Sequence, residues 1–252
     1  VALYREVRDA DLLRSHGLFV AEGRLVIERV LDDRSFEVVS LLLNPASRAA
    51  LAPALASLAG DVPVYVTETA DFLAITGVNL HRGSLALVRR PPVRTVDELL
   101  PHAQTTVVLE GVTDADNVGA VFRNAAAFGV DAVFASPGCC DPLYRKAIRT
   151  SMGATLRVPF ARVTPWPDRL FDFRLHGFTL VALTPRAPAI PIDAFAATRP
   201  AGKLALIVGT EGAGLSADVE ALADVRVRIP MRSDVDSLNL AVASGIALER
   251  LT

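Results

Sequence analysis

Apolar, β-branched runs recur along this chain, each followed by a polar or glycine-rich turn and then by a stretch with helical spacing. From residue 105 the alternation is regular: TTVVLEG, a helix over 118–128, VDAVFAS, a helix over 142–152, FTLVAL, then LALIVG and VRVRI with a helix after each. Strands alternating with helices predict right-handed crossovers and a largely parallel sheet, an α/β fold. Residues 1 to about 90 read as a smaller alternating unit. There FVAEG leads into a helix over 24–31, FEVVSLLLN into a helix over 45–58 and VPVYVT into a short helix over 68–75, and SLALVRR closes the unit. The prolines of PPVRTVDELLPHAQ interrupt regular pairing, so a linker is expected over 92–104, between domains spanning 1–91 and 105–252.

The chain is organised around its last two strand ends. LALIVGTEGAGLS runs from an apolar strand into Gly209, Gly212 and Gly214, and VRVRIPMRSDVDSLNLAVASGIAL runs from a second strand through Ile229 and a polar turn into a helix. Ligands of open α/β sheets sit at the carboxyl ends of strands, where backbone N–H groups and helix N-termini converge. Two such ends close in sequence predict one pocket. GTEGAG lacks the Lys-Ser/Thr ending of a phosphate loop and the G-x-G-x-x-G spacing, and Glu211 would repel a phosphate, so a neutral or cationic ligand fits better.

A third segment, LEGVTDADNVGAVFRNAAAFGV, places Val118, Val121, Phe122, Ala125 and Ala126 on one helical face, with Asn117 as an N-cap and Gly129 as the stop. That leaves Arg123 unexplained. It follows Gly119 by one turn, and helical side chains lean toward the N-terminus, so Asn117, Gly119 and Arg123 together suggest an anion or phosphodiester site. The last helix, with Ser237 as its expected N-cap, is apolar nearly all round, which predicts burial on every side and a subunit interface.

Composition adds mostly exclusions. A chain of 252 residues, half of them apolar, can bury two cores. No run approaches the roughly 20 apolar residues of a membrane span, and VALYREVRDA carries no signal-like hydrophobic region, so a cytoplasmic protein is expected. Adjacent Cys139 and Cys140 offer neither a disulfide framework nor spaced zinc ligands, and no metal is expected. Net charge is −2, so RNA contacts would have to come from local patches: Arg5, Arg8 and Arg14; His81 and Arg82; Arg145, Lys146 and Arg149. For each patch a solvated helix face or loop is the commoner explanation. His16, His81, His102 and His176 all lie outside the motifs, which argues against a serine-hydrolase triad at Ser237.

Taken together, NVGAVFRNAAAFGV, VGTEGAGLS and IPMRSDVDSLNLAVA closely resemble the three motifs of the SpoU (TrmH-type) RNA ribose 2′-O-methyltransferases, in order and near the expected spacing. HGLFVAEG and RGSLALVRRP are similar to that family's N-terminal substrate-binding domain. The resemblance implies an S-adenosylmethionine-dependent enzyme, a homodimer, and a C-terminal chain threaded into a deep trefoil knot, which no pattern of periodicity reveals. By position it implies Gly209, Ile229 and Leu238 at the cofactor, and Asn117, Arg123, Glu211, Ser237 and Asn239 as the catalytic set. Asp236 stands where Glu is frequent, and Val235 also varies. Ribosomal RNA is the favoured substrate by family analogy, with tRNA the other. Two alternatives stand beside this reading: a non-catalytic RNA-binding homologue of the same fold, and a conventional nucleotide-binding α/β enzyme built on GTEGAG, against which the missing phosphate-loop lysine counts.

Overall fold

A computed structural model of the protein describes residues 2–5, 9–77, 83–199, 201–232 and 234–252. Arg8, His81 and Arg82, among the basic residues considered above, lie outside the described residues. The chain forms two units, one of Val1–Pro92 with Pro142–Gly153, the other of Val93–Asp141 with Ala154–Thr252.

The first unit holds strands β1 (Leu18–Glu22), β2 (Val38–Leu43), β3 (Val64–Val66) and β4 (Ser84–Arg89) in the order β1-β4-β2-β3. β4 runs antiparallel to both neighbours, while β2 and β3 are parallel. β1 is buried along its whole length, which includes the carboxylate of Glu22. The partners of Glu22 come from far along the chain: Arg145 Nη1 stands 3.8 Å and Arg149 Nη1 3.5 Å from its oxygens. Asp9 accepts the Arg145 N–H at 3.0 Å, and burial pushes its carboxyl above the ordinary range while Arg145 opposes the shift. Two residues of the expected basic patch thus neutralise a buried acid of their own unit. The helix they sit on, Arg145–Thr150, belongs with the first unit although the strand-helix alternation assigned it to the second.

The second unit is built on seven parallel strands: β5 (Thr105–Glu110), β6 (Ala132–Ala135), β7 (Phe160–Arg162), β8 (Phe178–Leu183), β9 (Ile190–Pro191), β10 (Lys203–Gly209) and β11 (Val225–Arg228). Their order is β7-β6-β5-β10-β8-β11-β9. Every pairing along it is parallel. Residues 204–208 of β10 are all buried, as a central strand covered on both faces requires. One face packs around Phe134, Phe173 and Phe178, whose rings meet edge to face at 4.9 and 5.8 Å.

Residues 92–104, expected as a linker, carry structure instead. Thr95 and Glu98 form a capping box for the Val96–Leu99 helix, and Val96, Leu99, Leu100 and Ala103 are buried in the core of the second unit. The signal for this helix is Thr95-x-x-Glu98, which begins three residues after Pro92. Two short strands, β7 and β9, and the Leu170–Leu175 and Ile192–Thr198 helices also escaped the pattern, being too short for a period to register.

Candidate active site

Three neighbouring strands of the second sheet, β10, β8 and β11, end at one cleft. Its walls are Leu183, Thr184 and Pro185 after β8, Val208 to Gly212 and Gly214 at the end of β10, and Ile229, Met231, Ser237, Leu238, Leu240 and Ala243 after β11. The space measures ≈ 700 Å³ with its open mouth and adjoining solvent included. Gly209, Ile229 and Leu238, the residues expected at the cofactor, all line it, as do Glu211 and Ser237. The wall after β8 was not foreseen, because the Leu183-Thr184-Pro185 turn carries no motif.

The glycine loop closes on itself. Thr210 and Gly214 form an antiparallel bridge, and a Cβ at Gly209 would stand 2.2 Å from the Gly214 carbonyl carbon and 2.5 Å from the Leu215 nitrogen. Gly209 is therefore required by backbone packing, independently of any ligand.

The first-motif helix spans Ala115–Ala127, and its N-cap is Asp114, whose side chain accepts the Asp116 N–H at 2.9 Å. Asn117, expected as that cap, instead lies within the first turn and is buried. The stop is as expected: Gly129 is left-handed, and the Val130 N–H reaches back to the Ala125 carbonyl at 2.9 Å. Capping is displaced at the last helix too. Leu240–Leu251 is capped by Asn239, whose Oδ1 accepts from Ala241 N at 3.0 Å and Val242 N at 3.3 Å, and Ser237 stands two residues before it. An asparagine inside an apolar run hid this cap from the sequence.

That cap assembles the polar centre. While Oδ1 of Asn239 serves the helix, its Nδ2 donates to Asn117 Oδ1 at 3.3 Å and to Glu211 Oε1, and Glu211 Oε1 also accepts the Leu240 N–H at 3.2 Å. Three expected residues from three motifs thus meet around one amide. The Glu211 carboxylate sits at a helix N-terminus, where the dipole favours it. Arg123 is exposed on the Ala115–Ala127 helix and has no ion pair or hydrogen bond among the described residues. Its fork is available to an external group.

The two motif helices pack closely: Asn124 Nδ2 donates to Ala241 O at 2.7 Å and Ser244 Oγ at 3.1 Å, and a Cβ at Gly245 would lie 3.2 Å from that nitrogen. Small residues on the last helix are what this approach demands. On this helix Val242 is 51% exposed and is not covered by the described residues.

A model of the SpoU rRNA Methylase family matches residues 104–249, more than half of the chain. The chain belongs to this family. The matched span takes in the cleft, the Asn239 centre and Arg123. An uncharacterized tRNA/rRNA methyltransferase of Mycobacterium bovis is 43% identical over 246 residues, 97% of this chain and 84% of the relative. The 23S rRNA (guanosine-2′-O-)-methyltransferase RlmB of Acinetobacter baylyi is 33% identical over 180 residues, 69% of this chain and 71% of that protein. The crystal structure of an AdoMet-bound rRNA methyltransferase from Sinorhizobium meliloti shares the fold, with a TM-score of 0.79 at 24% identity over 99% of this chain and 91% of that one.

In this SpoU protein, one further carboxylate supports the glycine loop. Glu110 ends β5 directly beside Gly209, and its Oε1 accepts from Ser216 Oγ at 2.7 Å and Trp166 Nε1 at 3.1 Å, while Oε2 accepts the Ser216 N–H at 2.9 Å. Ser216 in turn caps the Ala217–Leu222 helix through Val219 N. A lone acid closing an apolar strand was the available signal. Among the described residues no histidine lines the cleft, and no helix is long and apolar enough to cross a membrane.

Proposed function

We propose that this protein transfers a methyl group from S-adenosylmethionine to a ribose 2′-hydroxyl of structured RNA, ribosomal RNA in preference to tRNA. The observation that carries the reading is the convergence of Asn117, Glu211 and Asn239 beside a cleft lined by Gly209, Ile229 and Leu238. The cleft suits the cofactor: its walls offer apolar side chains and loop backbone rather than a phosphate cradle. Gly209, Ile229 and Leu238 would hold it, largely through backbone groups. When bound, its sulfonium supplies an electrophilic methyl group.

The chain's own residues then orient and stabilise. Holding a ribose hydroxyl against the cleft converts a bimolecular encounter into a positioned one. Arg123, whose guanidinium stays protonated, clamps the neighbouring phosphate and stabilises the developing alkoxide rather than acting as a base. Ser237 and Asn239 face the sugar from the third motif, and Asn239 keeps Glu211 and Asn117 in register. The unit of Val1–Pro92 binds RNA, and the protein works in the cytoplasm as a homodimer through the open side of the last helix, where Val242 is exposed. The C-terminal segment after β11 is read as the threaded part of a trefoil knot.

Incubation with radiolabelled S-adenosylmethionine and ribosomal RNA, followed by nuclease digestion, tests the reading. Label on a ribose 2′-oxygen is expected, and an otherwise identical oligonucleotide carrying 2′-deoxyribose at the target takes none. Label on a base, or no cofactor binding by calorimetry, would refute it.

A further inference from the structure

The wall after β8 and the glycine loop after β10 are joined by Arg186. Its backbone N–H donates to Thr184 Oγ1 at 3.2 Å, which fixes the turn where Thr184 and Pro185 face the cleft. Its guanidinium reaches the other wall: Nη2 donates to the Leu215 carbonyl oxygen and lies 3.0 Å from Glu220 Oε1. A Cβ at Gly214 would stand in van der Waals contact with the same nitrogen, 3.4 Å away, so the guanidinium runs close over the loop backbone. The Glu220 side chain is only 10% exposed and also faces Arg226 Nη1 at 3.7 Å. A guanidinium held by a nearly buried carboxylate and donating to a main-chain carbonyl is a charge-assisted contact, stronger and more directional than a neutral one. Leu215, its far anchor, is buried.

We propose that Arg186 is a positioning residue for the cofactor, a strap that sets the separation between the Thr184–Pro185 wall and the glycine loop so that the cleft admits an adenosine-sized group. This rests on the S-adenosylmethionine reading above. Arg186 does not itself line the cleft. It acts through Leu215 and Thr184.

The test compares Arg186→Met, Glu220→Gln and Arg226→Met by calorimetric titration of the whole chain with S-adenosylmethionine, each with a thermal melt. Arg186→Met is expected to weaken binding about tenfold, the scale for losing one hydrogen bond to a charged group, with the melting temperature near wild type. Glu220→Gln shifts affinity in the same direction by less, and Arg186→Lys recovers part of the loss. Arg226→Met gives up an ion pair with the same carboxylate but does not touch the loop, so it retains wild-type affinity. In turnover, Arg186→Met raises the cofactor KM about tenfold and leaves kcat at saturating cofactor within about twofold, the split expected for lost binding alone. Wild-type affinity in Arg186→Met, or equal losses in Arg186→Met and Arg226→Met, overturns the assignment. Should Arg186→Met fail to fold, Arg186→Lys and Glu220→Gln carry the same comparison. A wild-type protein that does not bind the cofactor removes the functional reading itself, whereas binding that ignores Arg186 removes only the strap.

Discussion

Two carboxylates hold the glycine loop, one at each end, and they hold it differently. Glu110, at the end of β5, grips Ser216 with both oxygens and receives Trp166 as well, so each of its oxygens is engaged by a fixed part of the scaffold. Glu211, within the loop, takes Asn239 Nδ2 and Leu240 N on a single oxygen, and its other oxygen has no hydrogen-bond partner among the described residues. The closed carboxylate fixes geometry. The open one, exposed to solvent, keeps acceptor capacity at the mouth of the cleft. Chemical identity does not separate the two roles; the count of donors does.

The most disruptive way to break this comparison is Gly209→Val. The new side chain would collide with the backbone of Gly214 and Leu215, opening the loop between both anchors. Cofactor affinity is expected to fall on the order of a hundredfold or more, the upper range for overpacking, and calorimetry giving wild-type affinity would place the cofactor elsewhere.

Next, Glu211→Ala should cut single-turnover methyl transfer by on the order of a hundredfold while the melting temperature stays near wild type, since the residue is exposed. Arg123→Ala should lose a similar factor with cofactor affinity intact, because Arg123 is not among the residues lining the cleft. Arg123→Lys should recover little if the planar fork grips phosphate. Full transfer by either alanine variant would remove that residue from the chemistry.

Glu110→Ala reverses the pattern: a loss of about 2 kcal/mol in stability, the scale for severing hydrogen bonds to a charged group, with a smaller effect on transfer at saturating cofactor. Trp166 is the only tryptophan, so its emission reports directly on this anchor. An unchanged emission spectrum together with an unchanged denaturation midpoint would mean that Glu110 is not a clamp.

Ser216→Ala is the mildest change. It removes a helix cap and one bond to Glu110 but leaves the Ser216 N–H in place, so about 1 kcal/mol is expected from chemical denaturation. A loss larger than that of Glu110→Ala would show that the cap, rather than the carboxylate, anchors this end.

The sequence alone determined the alternation that became β5, β6, β8, β10 and β11, but not the short strands β7 and β9 or the short helices of the second unit. It also determined the ends of β10 and β11 that share a cleft with the end of β8, and the motif resemblance placed Gly209, Glu211, Ile229 and Leu238 there. Those features are local: a β-branched run, a glycine where backbone must turn or approach closely, and a helical period all register within about fifteen residues. Asn117, Glu211 and Asn239 could be named from the motif resemblance, but not the way they meet. Which residue caps each helix was misjudged at Asn117 and Ser237, because a cap depends on where the preceding strand delivers the chain, and Asp114 and Asn239 are equally good formers of that bond. Tertiary structure alone decided the rest. The Glu110 contact with Ser216 spans 106 residues, and those of Arg145 and Arg149 with Glu22 cross even more of the chain. Such pairings come from parallel register, with Glu110 beside Gly209, and from the need of a buried acid for a cation, neither of which leaves a trace in local periodicity.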